Sequence, residues 1–143
     1  MNFSADILPL VKEEVSRVAA SAYDDGGNSL YDAIIIKSRD EATVERMYKD
    51  ALSALMRRTA DIMDYERDDE GEDVISYKVL DIDPDTLPVV ADEITRYMSL
   101  NIVGAWLQER YVPASQGYVE RGQLSLDKAV HLLKTRRAPR RTI

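Results

Sequence analysis

Residues 94–111 read Ile94-Thr95-Arg96-Tyr97-Met98-Ser99-Leu100-Asn101-Ile102-Val103-Gly104-Ala105-Trp106-Leu107-Gln108-Glu109-Arg110-Tyr111. The segment is apolar on almost every side of a helix, so a folded chain has to cover it on every side. In a chain of 143 residues this makes it the central post of the structure. The only tryptophan, Trp106, stands near the polar end, where an indole packs its rings and still offers its N–H to a partner. The expected core sets Ile94, Met98, Ile102, Ala105 and Trp106 of this helix against Tyr48, Leu52, Leu55 and Ile62 of an earlier one.

Working outward, Pro84 and Asp85 lead into this helix, Pro88 is tolerated near its start, and Pro113 stops it. A further helix is expected from about Ala114 to Arg136, with Tyr118, Gly122, Leu126, Ala129, Val130 and Leu133 on one side. Gly122 weakens its middle and marks a potential break near Gln123. Upstream, Ser38-Arg39-Asp40-Glu41 has the form of a capping box, Ser38 accepting from the Glu41 N–H and Glu41 reaching back. The helix it opens carries Val44, Met47, Tyr48, Ala51, Leu55, Thr59 and Ile62 on one face and is expected to run to about Tyr65.

The first helix is expected from about Asp6 to Tyr23, with Val11, Val15, Val18 and Ala22 in one stripe and Pro9 in its first turn. Asp24-Asp25-Gly26-Gly27-Asn28-Ser29 breaks the chain. Leu30 to Ile36 is either a short extended segment or a buried turn of helix. Val74 to Ile82 is β-branched and aromatic, which reads as a strand or hairpin arm. A lone strand leaves its backbone unsatisfied, so it needs a partner, either Ile34 to Lys37 or a strand of a neighbouring copy. The fold class is therefore mainly α: one domain over 1–137, a bundle of about four helices with a small β element around 74–82, followed by a basic tail over 138–143.

Composition narrows the function. The apolar start Ile7-Leu8-Pro9-Leu10-Val11 meets Lys12-Glu13-Glu14 at once, unlike a signal peptide. No apolar run approaches the roughly 20 residues of a membrane span. The chain has no cysteine, so no disulfide, thiolate metal site or thiol nucleophile is available. A net charge of −7 opposes general nucleic-acid binding. The charge is uneven. Asp64 to Asp85 is dense in carboxylates, including Asp68, Asp69 and Glu70, whereas Lys134, Arg136, Arg137, Arg140 and Arg141 close the chain. Such asymmetry suits complementary surfaces on partners or neighbouring copies, and these two segments are the candidate contact residues. A solvated loop and a frayed tail is the plain alternative.

Catalytic chemistry is hard to find. His131 has one carboxylate at helical spacing, Asp127, and the pair reads more simply as a surface pair than as a base and its orienter. Asp81-Ile82-Asp83-Pro84-Asp85 opens like a calcium loop. Thr86 then stands where the turn needs Gly and Asp92 where a bidentate Glu belongs, so Asp85 or Thr86 is expected to cap the next helix instead. A magnesium cage of the helical pyrophosphohydrolase type fails too, because Arg17 follows Glu13-Glu14-Val15-Ser16 where a third carboxylate is required. No catalytic, metal or cofactor residue is expected.

The order of elements resembles the head–tail connector (adaptor) proteins of tailed bacteriophages. An amphipathic helix begins at Ser38-Arg39-Asp40-Glu41, and an acidic connector and a β-like stretch follow. Next comes a buried, Pro-started helix ending Ala105-Trp106-Leu107-Gln108-Glu109-Arg110-Tyr111, and last a helix ending Leu132-Leu133-Lys134-Thr135-Arg136-Arg137. In that family the second long helix ends in a Trp-Tyr-Glu-Asn-Arg-like signature and the last in Leu-Leu-x-x-Arg. Here Trp106, Glu109, Arg110 and Tyr111 supply the first, with the Tyr displaced to the end, and Leu132, Leu133 and Arg136 the second. The resemblance covers roughly Ile34 to Arg137, and the helix before Asp24 is extra to it. It implies a virion protein of the neck, made in the host cytoplasm and assembled as a ring of about twelve copies. Its partners would be the portal and a tail or head-completion protein, with DNA passing through and no membrane involved. The alternative is a cytoplasmic helical protein-interaction module, a regulator or chaperone, without catalysis.

Overall fold

The computed structural model describes residues 1–78 and 82–134. A π-helical turn, Phe3–Ile7, runs into helix α1, Leu8–Ala20. The short helix α2, Tyr31–Ile34, and a 3₁₀ turn, Ser38–Asp40, precede helix α3, Glu41–Arg58. An antiparallel hairpin of β1, Met63–Arg67, and β2, Asp73–Tyr77, separates α3 from the long helices α4, Leu87–Arg110, and α5, Val112–Lys134. The fold is a mainly α helical bundle with a small two-stranded β element.

Helix α4 is the post. Tyr97, Met98, Ser99 and Leu100 are consecutive and all buried, so that turn is covered on nearly every side. The elements α1, α2, α3 and α5 all pack on it. Ile94, Met98, Ile102 and Trp106 are buried, as are Tyr48, Leu52, Leu55 and Ile62. Ala105 is only half-buried, because it lies on the turn's outward side. The Trp106 Nε1–H donates to the Ile34 carbonyl at 2.6 Å, which fixes α2 against α4. Of the two readings of residues 30–36, the buried turn of helix is the one adopted.

One residue, Tyr111, separates α4 from α5 at φ −153°, ψ 76°, and the two helices run back antiparallel. A Cβ on Gly104 would lie 2.7 Å from Val119 Cγ2 and 3.3 Å from both the Ser115 carbonyl oxygen and the Val119 nitrogen. A side chain there would hold the helices apart. Pro113 does not itself stop α4. It sits in the first turn of α5, where its missing N–H costs nothing, so α5 starts two residues before Ala114. It runs unbroken past Gln123, because Gly122 lies against α4 at Asn101 and Leu100 and its lack of a side chain permits that contact. The end expected at Arg136 lies outside the described residues.

Three expectations are corrected. The N-terminal box of α3 is one residue earlier than Ser38/Glu41: the Lys37 N–H donates to the Asp40 carboxylate at 2.9 Å, and Ser38 lies within the 3₁₀ turn. Glu41 instead forms an ion pair with Lys12 of α1. Helix α3 ends at Arg58 rather than near Tyr65. Buried Thr59 turns its hydroxyl back to the Leu55 carbonyl, 2.6 Å away, and its own carbonyl accepts from Met63 N–H at 2.8 Å, closing a turn that launches β1. The partner of the predicted strand is therefore Met63–Arg67, in register Met63↔Tyr77 to Arg67↔Asp73, and neither 34–37 nor a neighbouring copy. Of the strand expected over 74–82, residues 79–81 lie outside the described ones.

Candidate interaction surfaces

The hairpin has two unlike faces, as the pleat demands. Met63, Tyr65, Arg67, Asp73, Ile75 and Tyr77 share the inward face, and Asp64, Glu66, Val74 and Ser76 point the other way. Asp73 anchors the inward face. It is buried, and its carboxylate accepts from the Tyr48 hydroxyl of α3, from the Tyr65 hydroxyl at 2.6 Å and from Arg67 Nε at 3.1 Å. Its backbone is held as well: its N–H donates to the Met1 carbonyl at 2.8 Å, and the Met1 ammonium donates to its carbonyl at 2.8 Å. Burial by itself raises the Asp73 pKa. The hydrogen bonds from Tyr48, Tyr65 and Arg67 outweigh it and hold the group below its ordinary value, so it stays ionised.

Asp73 therefore does not belong with the exposed carboxylates of the connector. Asp68, Asp69 and Glu70 do, and they form the hairpin turn. Asp68 Oδ1 accepts from the N–H groups of Glu70 and Glu72 at 2.9 and 2.8 Å, and Gly71 takes φ +81°, which L side chains disfavour. The turn is thus ordered by its own bonds. Glu72 pairs with the Met1 ammonium at 3.2 Å, and Asp69, Glu70 and Glu66 have no ion pair among the described residues.

The basic cluster is represented by Lys134 alone. It is exposed at the end of α5 and lies 4.0 Å from Asp61, in the turn between α3 and β1. Arg136, Arg137, Arg140 and Arg141 lie outside the described residues. The structure does not bring Lys134 to Asp68, Asp69 or Glu70 of its own chain.

A second surface, with no strong signal in the sequence, follows the outer side of α4 between α1 and α5. A cavity of about 340 Å³ lies between α1 and α4, walled by Leu10, Glu13 and Arg17 and floored by Ser99, Leu100 and Val103. A hollow of about 240 Å³ adjoins it through Arg96 and Leu100 and is closed by Arg121, Leu124 and Ser125 of α5. Glu14 ties this side together: it accepts from the Tyr118 hydroxyl at 2.7 Å and pairs with Arg17 at 3.2 Å. Burial, and then the bond to Glu14, push the Tyr118 pKa up to about 12. Glu93, buried on α4, pairs with Lys128 at 3.3 Å and Arg96 at 3.8 Å and so joins α4 to α5. Helical i, i+3 spacing finds Arg17 for Glu14 and Arg96 for Glu93, but neither Tyr118 nor Lys128, which lie on another helix.

The candidate chemical groups are scattered. Asp127 is paired with Arg58 of α3. Asp83 Oδ1 accepts from the Asp85 N–H at 3.0 Å, a turn that delivers Thr86 to the N-cap position of α4 without a side-chain cap bond; Asp81 lies outside the described residues. Among the described residues no group of three His, Asp or Glu side chains converges as a metal site. No helix among them is long and apolar enough to cross a membrane. At the end of α4 the Arg110 guanidinium lies 3.3 Å from the centroid of the Trp106 ring, Glu109 is exposed 3.4 Å from Arg110, and Tyr111 is half-buried. No family model, curated protein or solved structure matches this chain.

Proposed function

We propose that the chain is a structural virion protein, a head–tail connector that forms a ring below the portal, lets DNA pass and receives the tail. The observation that carries this reading is the hairpin turn. Asp68, Asp69 and Glu70 are exposed on a turn pre-ordered by its own hydrogen bonds and by Gly71, while Asp73 secures the hairpin to α3. A stiff acidic projection suits an assembly part in two ways. It presents a charged patch for a heterologous contact, the kind that builds rings. Where it borders a channel, like charge keeps a passing duplex from sticking. The stacking of Arg110 on Trp106 supports the resemblance at the end of α4, since the two residues of the signature form one unit there.

The test is native mass measurement of the purified protein, alone and mixed with a portal ring. A discrete ring, or a defined complex with the portal, is expected. A monomer under both conditions at high concentration rejects the connector and leaves the helical interaction module.

A further inference from the structure

Leu124 is 68% exposed, more than any other large apolar side chain among the described residues. It is not an isolated surface leucine. It forms one wall of the hollow whose remaining walls are Arg96, Leu100, Arg121 and Ser125. The Arg121 guanidinium lies 5.2 Å from the centroid of the Tyr118 ring and has no carboxylate partner among the described residues. Arg96 shares the buried Glu93 with Lys128. Glu120, the nearest acid along α5, accepts from Gln116 at 3.2 Å. The lip is thus one exposed apolar side chain between two arginines, on a chain of net charge −7.

The outer face of the hairpin is its counterpart in composition. Val74 is 42% exposed, Glu66 stands directly opposite it in the register, and Asp69 and Glu70 follow at the turn. That face is one exposed apolar side chain beside carboxylates, of which Glu66, Asp69 and Glu70 have no ion pair among the described residues and Asp64 pairs with Lys78 at 3.5 Å. Among the described residues none covers Val74.

We propose that the outer hairpin face of one copy docks on the Arg96–Leu124–Arg121 lip of the next. Val74 meets Leu124, and Glu66, Asp69 and Glu70 meet the arginines. This rests on the ring reading and names its contact. The two patches differ, so the contact is heterologous and repeats from copy to copy until the ring closes. The apolar pair excludes water, and the charges around it set register and reject wrong partners. The turn is already ordered in the free chain, so docking freezes little backbone.

The experiment compares the full-length chain with Leu124→Ser, Arg121→Glu, Glu66→Arg and the double variant Arg121→Glu/Glu66→Arg, by sedimentation over a range of concentrations. Circular dichroism and melting confirm that each variant is folded, and both Leu124 and Glu66 are exposed enough for substitution to spare the core. Each single variant is expected to weaken self-association about tenfold or more, and the charge swap to restore most of the loss. A wild-type chain that assembles while all three single variants assemble equally well overturns this contact and leaves the ring standing. Failure of the swap to rescue two weakened singles also overturns it, because the arginine and the glutamate then do not face each other. A wild-type chain that never assembles, with or without portal, overturns the contact and the ring reading together.

Discussion

Trp106 and Ile34 are 72 residues apart and share one buried hydrogen bond, from the indole N–H to the backbone carbonyl. The bond decides what each substitution of Trp106 removes. Trp106→Phe keeps much of the packing and leaves the Ile34 carbonyl without its donor, an expected loss of about 1–3 kcal/mol. Trp106→Ala also opens a cavity at the centre of the core, an expected loss of about 3–5 kcal/mol. Urea titration measures both. Trp106 is the only tryptophan, so its emission reports on the same site; a water-exposed spectrum from the folded protein would refute the assignment.

Asp73 makes stability depend on acid. Its folded pKa is depressed below the ordinary 3.8. The contribution is therefore complete above that ordinary value and is lost as pH falls through the lower folded value. Asp73→Asn removes a charged acceptor of three hydrogen bonds and should cost about 1.5–3 kcal/mol at neutral pH. The gap between wild type and variant should stay constant down to about pH 4 and narrow below it. A gap that is unchanged at pH 3 would mean that the charge on Asp73 contributes nothing.

Two of the three glycines of the α4–α5 pair, Gly104 and Gly117, should respond in opposite directions. Gly104→Ala drives a methyl into Val119 and is expected to destabilise by about 1–3 kcal/mol. Val119→Ala in the same chain should recover part of that loss. Gly117 is exposed in the interior of α5, and an added Cβ there meets nothing within 4 Å. Gly117→Ala should therefore stabilise by about 0.5–1 kcal/mol through helix propensity alone. Equal effects at the two sites in thermal melts would contradict the close approach of the helices at Gly104.

Calcium or magnesium at millimolar concentration should leave the melting temperature unchanged. The Asp83 carboxylate is already engaged by its own turn. A ligand bound only by the native state raises stability by mass action. A rise of many degrees, abolished by Asp83→Ala, would make the loop before α4 a cation site.

The sequence made some of this legible for a physical reason. Helix α4 announces itself because a segment apolar all round has no other place to go, and the face of α3 because its period is unbroken from Val44 to Leu55. β1 escaped because Thr59 and Ile62 extend that same period past the helix's actual end. The competing signal, Met63-Asp64-Tyr65-Glu66-Arg67 alternating by twos, is only five residues long. Asp73 is one carboxylate in an acidic run, and what singles it out is Tyr48, 25 residues earlier on another element. The lip at Leu124 needs a second element to be seen: Leu124 lies off the apolar stripe of α5 and reads as a lone surface leucine, and only the path of α4 beside α5 brings Arg96 and Leu100 next to it.

The position of α4 in the chain also governs the order in which the molecule can be made. α1 and α3 bury their apolar stripes on α4, and Ile34 waits for Trp106. A ribosome releases α1, the hairpin and α3 before the segment that covers them. Until residues 87–110 emerge, the nascent chain carries unsheltered apolar surface, and it has to be held apart from its siblings through that interval. Once α4 is out, α5 follows after a single residue and packs back on it as a contact local in sequence, the kind that forms fast once both segments are free.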